Sequence, residues 1–242
     1  MGAWRWNFNE ERVLGYQNME KEMIEFQTKE RLEEGLCDRI VEIIRLAIQE
    51  KGIAKLLLSG GGTPKELYRR LSNCELDWNS VKIGLVDERF VTIDSPFSNQ
   101  KMISEILLQN SAKHATLFGM VHSIENYTEN VETVNKMYEE LNDADLVLLG
   151  MGADGHTASI FPGDQPSIQC VQDKSAFIRN TNAPNDPKRR ITLNKPFISN
   201  AQHIFLMITG DHKRQVFIQC DPEKHPIHNF KEVISEVYFT TN

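Results

Sequence analysis

No apolar run approaches the roughly 20 residues needed to span a bilayer, so nothing in the 242-residue sequence reads as a transmembrane helix. Cysteine is scarce and scattered. Cys37, Cys74, Cys170 and Cys220 contain no C-x-x-C pair, which argues against a disulfide framework or a zinc site and for free thiols in a reducing cytoplasm. Positive charge is in deficit, with 27 Lys and Arg against 34 Asp and Glu, a net −7. Nucleic-acid recognition draws on Lys and Arg that neutralise phosphates, so it is a poor match. A local basic pocket for a small anion remains compatible with that balance. The opening residues Met1–Asn7 lack the apolar core of a signal peptide. Glycine and proline, 14 and 9 residues, are too few for a fibrous or disordered chain. What is present, 40% apolar and 25% charged residues, is the profile of a folded protein. A chain this long buries about 70% of its extended surface and needs no staple.

The apolar pattern alternates between two periods. Leu32, Leu36, Ile40, Ile43, Ile44, Ala47 and Ile48 recur every three to four residues, which predicts a helix over about Lys29 to Gly52 with Gly52 as its stop. Short apolar runs follow at Lys55–Leu58, Val81–Val86, Thr116–Met120, Leu146–Leu149, Phe177–Asn180, Ile191–Leu193 and Ile204–Thr209. Helical patterns separate several of them, from Pro64, over Ser98–Gln109, over Asn126–Leu141 and over Asp211–Cys220. Val233–Thr240 alternates as a terminal strand, and Trp4–Phe8 suits an edge strand with its tryptophans as packing anchors. Wholly apolar strands between helices indicate an α/β fold around a mainly parallel sheet buried on both faces. No repeat or linker is visible, and the polar stretch Asn180–Arg190 reads as one surface loop. A single domain over residues 1–242 is expected.

In an open α/β sheet, ligands bind beyond the carboxyl ends of the strands. The first informative run therefore leads into Ser59-Gly60-Gly61-Gly62-Thr63-Pro64. Consecutive glycines bring the main chain close to a ligand, and Thr63 as N-cap with Pro64 at the first helical position would aim free amides at a phosphate. A tight turn uses the same residues. The loop has neither the Gly-Lys-Ser/Thr of a P-loop nor G-x-G-x-x-G. Asp87-Glu88-Arg89 follows the next run; three charges off a buried strand call for a polar crevice, in which Arg89 suits a phosphate. After Leu149 comes Gly150-Met151-Gly152-Ala153-Asp154-Gly155-His156-Thr157. A histidine among glycines on a strand-to-helix turn, two residues after an aspartate, is placed to exchange protons near neutral pH. The six other histidines read as ordinary surface or core residues. Lys213, after Gly210, falls in the first turn of a helix and can lean back towards the strand ends. No G-x-S-x-G surrounds Ser159, and no H-E-x-x-H or clustered metal ligands occur, so neither a serine nucleophile nor a metal is indicated.

These segments resemble the 6-phosphogluconolactonases in order and spacing. The matching motifs are Ser59–Pro64, Val86-Asp87-Glu88-Arg89, Asp94 through Ser98-Asn99, Leu149 through Gly163, Arg190-Ile191-Thr192 and Gly210-x-x-Lys213. The resemblance runs from about residue 30 to 220, and the Asp154–Gly163 block is its most specific part. It implies a modified doubly wound α/β fold shared with glucosamine-6-phosphate deaminase. It also implies hydrolysis of 6-phospho-D-glucono-1,5-lactone to 6-phosphogluconate, the second step of the pentose phosphate pathway, with no cofactor. The implied site is His156 and Asp154 for catalysis, with Gly61, Gly62, Thr63, Asp87, Arg89, Asn99, Gly155, Thr157, Arg190 and Lys213 binding substrate. Donors near Gly155 or Thr157 are expected at the oxyanion, and Asp87 at substrate hydroxyls or Arg89. The expected partner is a small phosphosugar lactone, with no nucleic acid and no membrane, for a cytoplasmic monomer or homodimer.

Two departures stand out. Thr92 replaces a common proline, and Val237–Asn242 lacks the usual aspartate and alanine ending, which puts the last strand in question. The nearest rival is a deaminase on the same fold. That family resemblance places a carboxylate five residues after the histidine, where this chain has Phe161, and a tyrosine at Arg89. A non-catalytic sugar-phosphate sensor is the rival from another class, but the first 50 residues show no basic helix-turn-helix and His156 is retained.

Overall fold

The longest amphipathic segment forms helix α1 (Lys29–Lys51), which follows strand β1 (Met23–Phe26). The computed structural model describes residues 23–175 and 177–241; the strand expected at Trp4–Phe8, with its tryptophans, lies outside them. Thr28 caps α1, its side-chain oxygen accepting from the Arg31 N–H at 3.2 Å. Gly52 ends the helix at φ 74°, where a side chain would be strained. Leu32, Leu36, Ile40 and Ile44 line its fully buried stripe.

The remaining elements follow in chain order: β2 (Ala54–Leu58), α2 (Lys65–Ser72), β3 (Val81–Leu85), β4 (Asp87–Arg89), α3 (Asn99–Ile106), β5 (Thr116–Phe118), α4 (Tyr127–Tyr138) and β6 (Leu146–Leu149). Then come α5 (Gln165–Gln172), β7 (Ile178–Asn182), β8 (Arg189–Leu193), α6 (Lys195–Ile198), β9 (His203–Thr209), α7 (Asp211–Ile218) and β10 (Glu236–Thr240). Among the described residues, seven strands form one parallel sheet in the order β1-β10-β9-β6-β2-β3-β5. All four residues of β6 are buried, as a central strand covered on both faces requires. From β2 the chain steps outward through β3 to β5, then returns to the other side of β2 as β6 and steps outward again. The strand order therefore reverses between β2 and β6, and a ligand crevice belongs at the carboxyl ends of those two strands.

A second, antiparallel sheet corrects the sequence reading. Strands β4, β8 and β7 pair in that order, so Asp87–Arg89 is a strand and Asn180–Arg190 is not one loop. Its ends belong to β7 and β8, joined by a turn in which the Ala183 N–H donates to Lys188 O at 2.8 Å. Only Ile178 and Thr181 of β7 are buried; the strands expected at Phe177–Asn180 and Ile191–Leu193 are present, but β7 runs on to Asn182 and β8 begins at Arg189. Helices α5 and α6 are also additions, started by Asp164 accepting from the Ser167 N–H at 3.1 Å and Asn194 from the Phe197 N–H at 2.8 Å. The terminal strand begins at Glu236, not Val233, because the N–H groups of Val233 and Ile234 both turn back onto Phe230 O. Its unusual ending still pairs with β9 on one side and β1 on the other.

Candidate active site

A cleft of about 270 Å³ opens at the reversal between β2 and β6. One wall is the loop after β2. Helix α2 begins at Lys65 with Pro64, not Thr63, in the cap position and no side-chain cap, which corrects the predicted start. The N–H groups of Gly61, Gly62 and Thr63 donate to no protein acceptor among the described residues, and all three residues line the cleft. Gly61 sits at φ 90°, in the left-handed region. A Cβ on Gly60 would lie 1.9 Å from Asn99 Oδ1, so only glycine there lets Asn99 reach the wall. The Asn99 amide donates to Asp87 O at 2.9 Å.

The opposite wall comes from the second sheet. Asp87, Arg89 and Arg190 line the cleft, while Glu88 between them turns into the protein. Alternation along a strand accounts for the split. The Arg89 guanidinium donates to Phe97 O at 2.7 Å, and its buried Nε has no partner. Burial, and then the charge of Arg89, lower the pKa of Arg190, against the pull of Asp87 and Glu88. Lys213, on the first turn of α7, is likewise held below the ordinary lysine value by burial, opposed by the charge of Asp154. Its side chain has no ion-pair partner within 4.0 Å among the described residues. Two arginines, a lysine and three unused amides thus share one small space, an arrangement that a bound dianion would satisfy.

The third element is the turn after β6. His156 lines the cleft, and its Nδ1 lies 2.5 Å from Asp154 Oδ1, which also accepts from the His156 main-chain N–H at 3.2 Å. An ionised carboxylate only accepts, so Nδ1 carries the ring proton and Nε2 is the basic nitrogen. Burial pushes the Asp154 pKa up, but the hydrogen bond and charge of His156 and the nearby amides outweigh it and leave the group below the usual carboxylate range. Gly152 makes room for this pair: a Cβ there would lie 2.2 Å from His156 Cε1 and Nδ1. The His156 ring leans on Phe161 at 4.8 Å between centroids, and the Arg190 guanidinium lies 5.7 Å from the other ring's centroid.

Nine of the twelve predicted site residues line this cleft: His156, Gly61, Gly62, Thr63, Asp87, Arg89, Asn99, Arg190 and Lys213. Asp154, Gly155 and Thr157 do not. Asp154 stands behind His156. The Gly155 N–H is taken up by Gly152 O at 3.1 Å, and the buried Thr157 hydroxyl donates to Gly150 O at 2.8 Å, so both shape the turn. Ser159 is fully buried and donates to Asp87 Oδ2 at 2.5 Å, which fixes Asp87 and withdraws the serine from the cleft. Two participants escaped the sequence reading. The Ser59 hydroxyl borders the cleft, buried and unpartnered. The Glu88 carboxylate accepts from the N–H groups of Arg89, Asn99 and Gln100 at 2.7, 2.8 and 2.7 Å and from the Ser98 hydroxyl at 3.1 Å. Burial raises the Glu88 pKa, with those amides opposing. A charged residue directly after a buried apolar run was the available signal for it.

A doubly wound sheet with an anion-ready glycine loop and a His–Asp pair at its reversal point defines an α/β enzyme for a small anionic substrate. Residues 27–238 match the family of glucosamine-6-phosphate isomerases/6-phosphogluconolactonase, and the chain belongs to that family. It is similar to a 6-phosphogluconolactonase of Neisseria meningitidis, 35% identical over 200 residues that cover 81% of this chain and 86% of the relative. A Helicobacter pylori 6-phosphogluconolactonase is 30% identical over 236 residues, covering 95% and 100% of the two chains. Among solved structures, a 6-phosphogluconolactonase from Shewanella baltica superposes with a TM-score of 0.85 at 32% identity, over 92% of this chain and 97% of that one.

Proposed function

We propose that the chain hydrolyses 6-phospho-D-glucono-1,5-lactone to 6-phosphogluconate, in the oxidative branch of the pentose phosphate pathway. The observation that carries this reading is the shared cleft: unused amides and three cations on its walls, with a histidine whose free nitrogen is basic. The amides of Gly61, Gly62 and Thr63, with Arg89 and Lys213, hold the phosphate. That contact fixes the lactone ring, and positioning of this kind lowers barriers by up to about 7–11 kcal/mol. His156 Nε2 takes a proton from water, which attacks the lactone carbonyl carbon. The Gly155 N–H is already engaged within its turn, so the developing oxyanion falls to Arg190, a role worth about 3 kcal/mol. The imidazolium then returns its proton to the ring oxygen as the ester carbon–oxygen bond breaks. Asp154 holds the tautomer, and Asp87, anchored by Ser159, accepts from substrate hydroxyls. Phe161 against His156 supplies an apolar face where deaminase chemistry would call for a carboxylate. The chain works as one domain over residues 1–242, as a cytoplasmic monomer or homodimer without a metal.

A coupled assay tests the activity directly: glucose-6-phosphate dehydrogenase makes the lactone, and its loss is followed with and without the protein. Loss at only the spontaneous rate overturns the reading. His156→Ala should lower kcat by orders of magnitude with phosphate affinity retained, and near wild-type turnover would remove His156 from the chemistry.

A further inference from the structure

The turn that carries His156 is braced from outside by a segment no motif points to. The Ile227 N–H donates to Gly155 O at 2.9 Å. Gly155 itself sits at φ 76°, and a Cβ on it would lie 2.8 Å from His225 Cβ and 2.9 Å from His225 Cδ2. His225 thus packs directly on the residue between Asp154 and His156. Its own position is doubly fixed within the strap 221–227. The His225 N–H donates to Asp221 O at 2.9 Å, and the ring Nδ1 accepts from the Asp221 N–H at 2.9 Å. A main-chain N–H can only donate, so Nδ1 is unprotonated and the ring proton sits on Nε2. Further along, Ile227 and Phe230 are fully buried and tie the strap to the core. A second histidine touches the same turn, His212 Nε2 lying 3.2 Å from Ala153 O.

We propose that His225 is a positioning residue for the reaction: closed on Asp221 by its ring, it clamps Gly155 and so holds the Asp154–His156 pair in register with the cleft. The inference rests on His156 being the base. The phosphate-holding groups stand on other segments, after β2, on β4 and on α7, so loosening the clamp misplaces the base and leaves the grip on the anion intact. Displacements near 1 Å in such a site cost up to about a hundredfold in rate.

The test contrasts His225→Leu, which keeps the bulk over Gly155 but has no acceptor, with His225→Asn, whose amide oxygen can take the place of Nδ1. Kinetics with the lactone, thermal melts and NMR of the His156 ring are compared for both. The expected result is a kcat about ten- to a hundredfold lower in His225→Leu, with KM within twofold, a shifted His156 ring titration and the same binding of inorganic phosphate. His225→Asn recovers most of kcat and the wild-type titration. Wild-type kcat in His225→Leu overturns the proposal, as does an equal loss in both variants that follows melting temperature. His156→Ala run alongside separates the two readings. If it is inactive while His225→Leu is normal, only the clamp fails; if it is active, the assignment of the base fails first.

Discussion

At the scale of single residues, Gly152 isolates the His–Asp pair from everything else. It lies outside the left-handed region, so alanine suits its backbone and the cost of Gly152→Ala falls on the pair. The new methyl would meet His156 Cε1 and Nδ1 at 2.2 Å and Asp154 Oδ1 at 2.6 Å, and the side chains must move. We expect kcat to drop about tenfold or more, with KM and thermal stability little changed; wild-type kcat would mean that the pair's position is immaterial. Asp154 offers a second test at this scale. Its folded pKa is depressed, with His156 outweighing burial. Its contribution to stability is therefore complete above the unfolded value near ~3.9 and is lost as pH falls through the lower folded value. The difference in unfolding free energy between wild type and Asp154→Asn should then be constant near neutrality and shrink below about pH 4. Urea titrations at stepped pH measure it, and a difference that grows towards acid would reverse the assigned sign.

Between elements, the decisive joint is the one between β4 and α3. Glu88 collects four donors there, from Arg89, Ser98, Asn99 and Gln100, and so fastens the strand carrying Asp87 and Arg89 to the helix carrying Asn99. Glu88→Gln exchanges one acceptor for an NH₂ that faces donors, a mismatch worth about 2–4 kcal/mol. Denaturant melts should show that loss, with a raised KM because residues on both sides of the joint line the cleft. A neutral substitution would deny Glu88 this role. The joint also shows what the sequence could and could not convey. Apolar runs such as Leu146–Leu149 announce buried strands, and the loops after them announce the cleft, because burial on both faces leaves no other pattern. The second sheet joins Asp87–Arg89 to β7 and β8; short apolar runs announce the last two as strands, but their pairing depends on partners distant in sequence, so no local period reveals the sheet. Ser59 and His225 stayed unseen for the same reason. Their meaning lies in what is missing from, or packed against, another segment.

Across the whole molecule, charge poses a conflict: a chain of net −7 is proposed to capture a phosphate dianion. Distance decides it. Unit charges about 20 Å apart in water interact by about 0.2 kcal/mol, and a screening length near 8–10 Å at physiological salt removes most of that. Cations in contact with the phosphate, at about 4 Å and an effective dielectric of about 20, contribute up to about 4 kcal/mol each before desolvation. Local attraction by Lys213 and Arg89 should therefore outweigh the diffuse repulsion. Salt then weakens capture: KM for the lactone should rise severalfold between about 50 and 500 mM monovalent salt, over the range in which the screening length contracts. Lys213→Met should raise KM at low salt and flatten that dependence, since the variant has less local attraction to screen. The opposite slope, with KM falling as salt is added, would mean that the acidic surface governs encounter and that the cleft's cations are spent on neighbours such as Asp87 and Asp154.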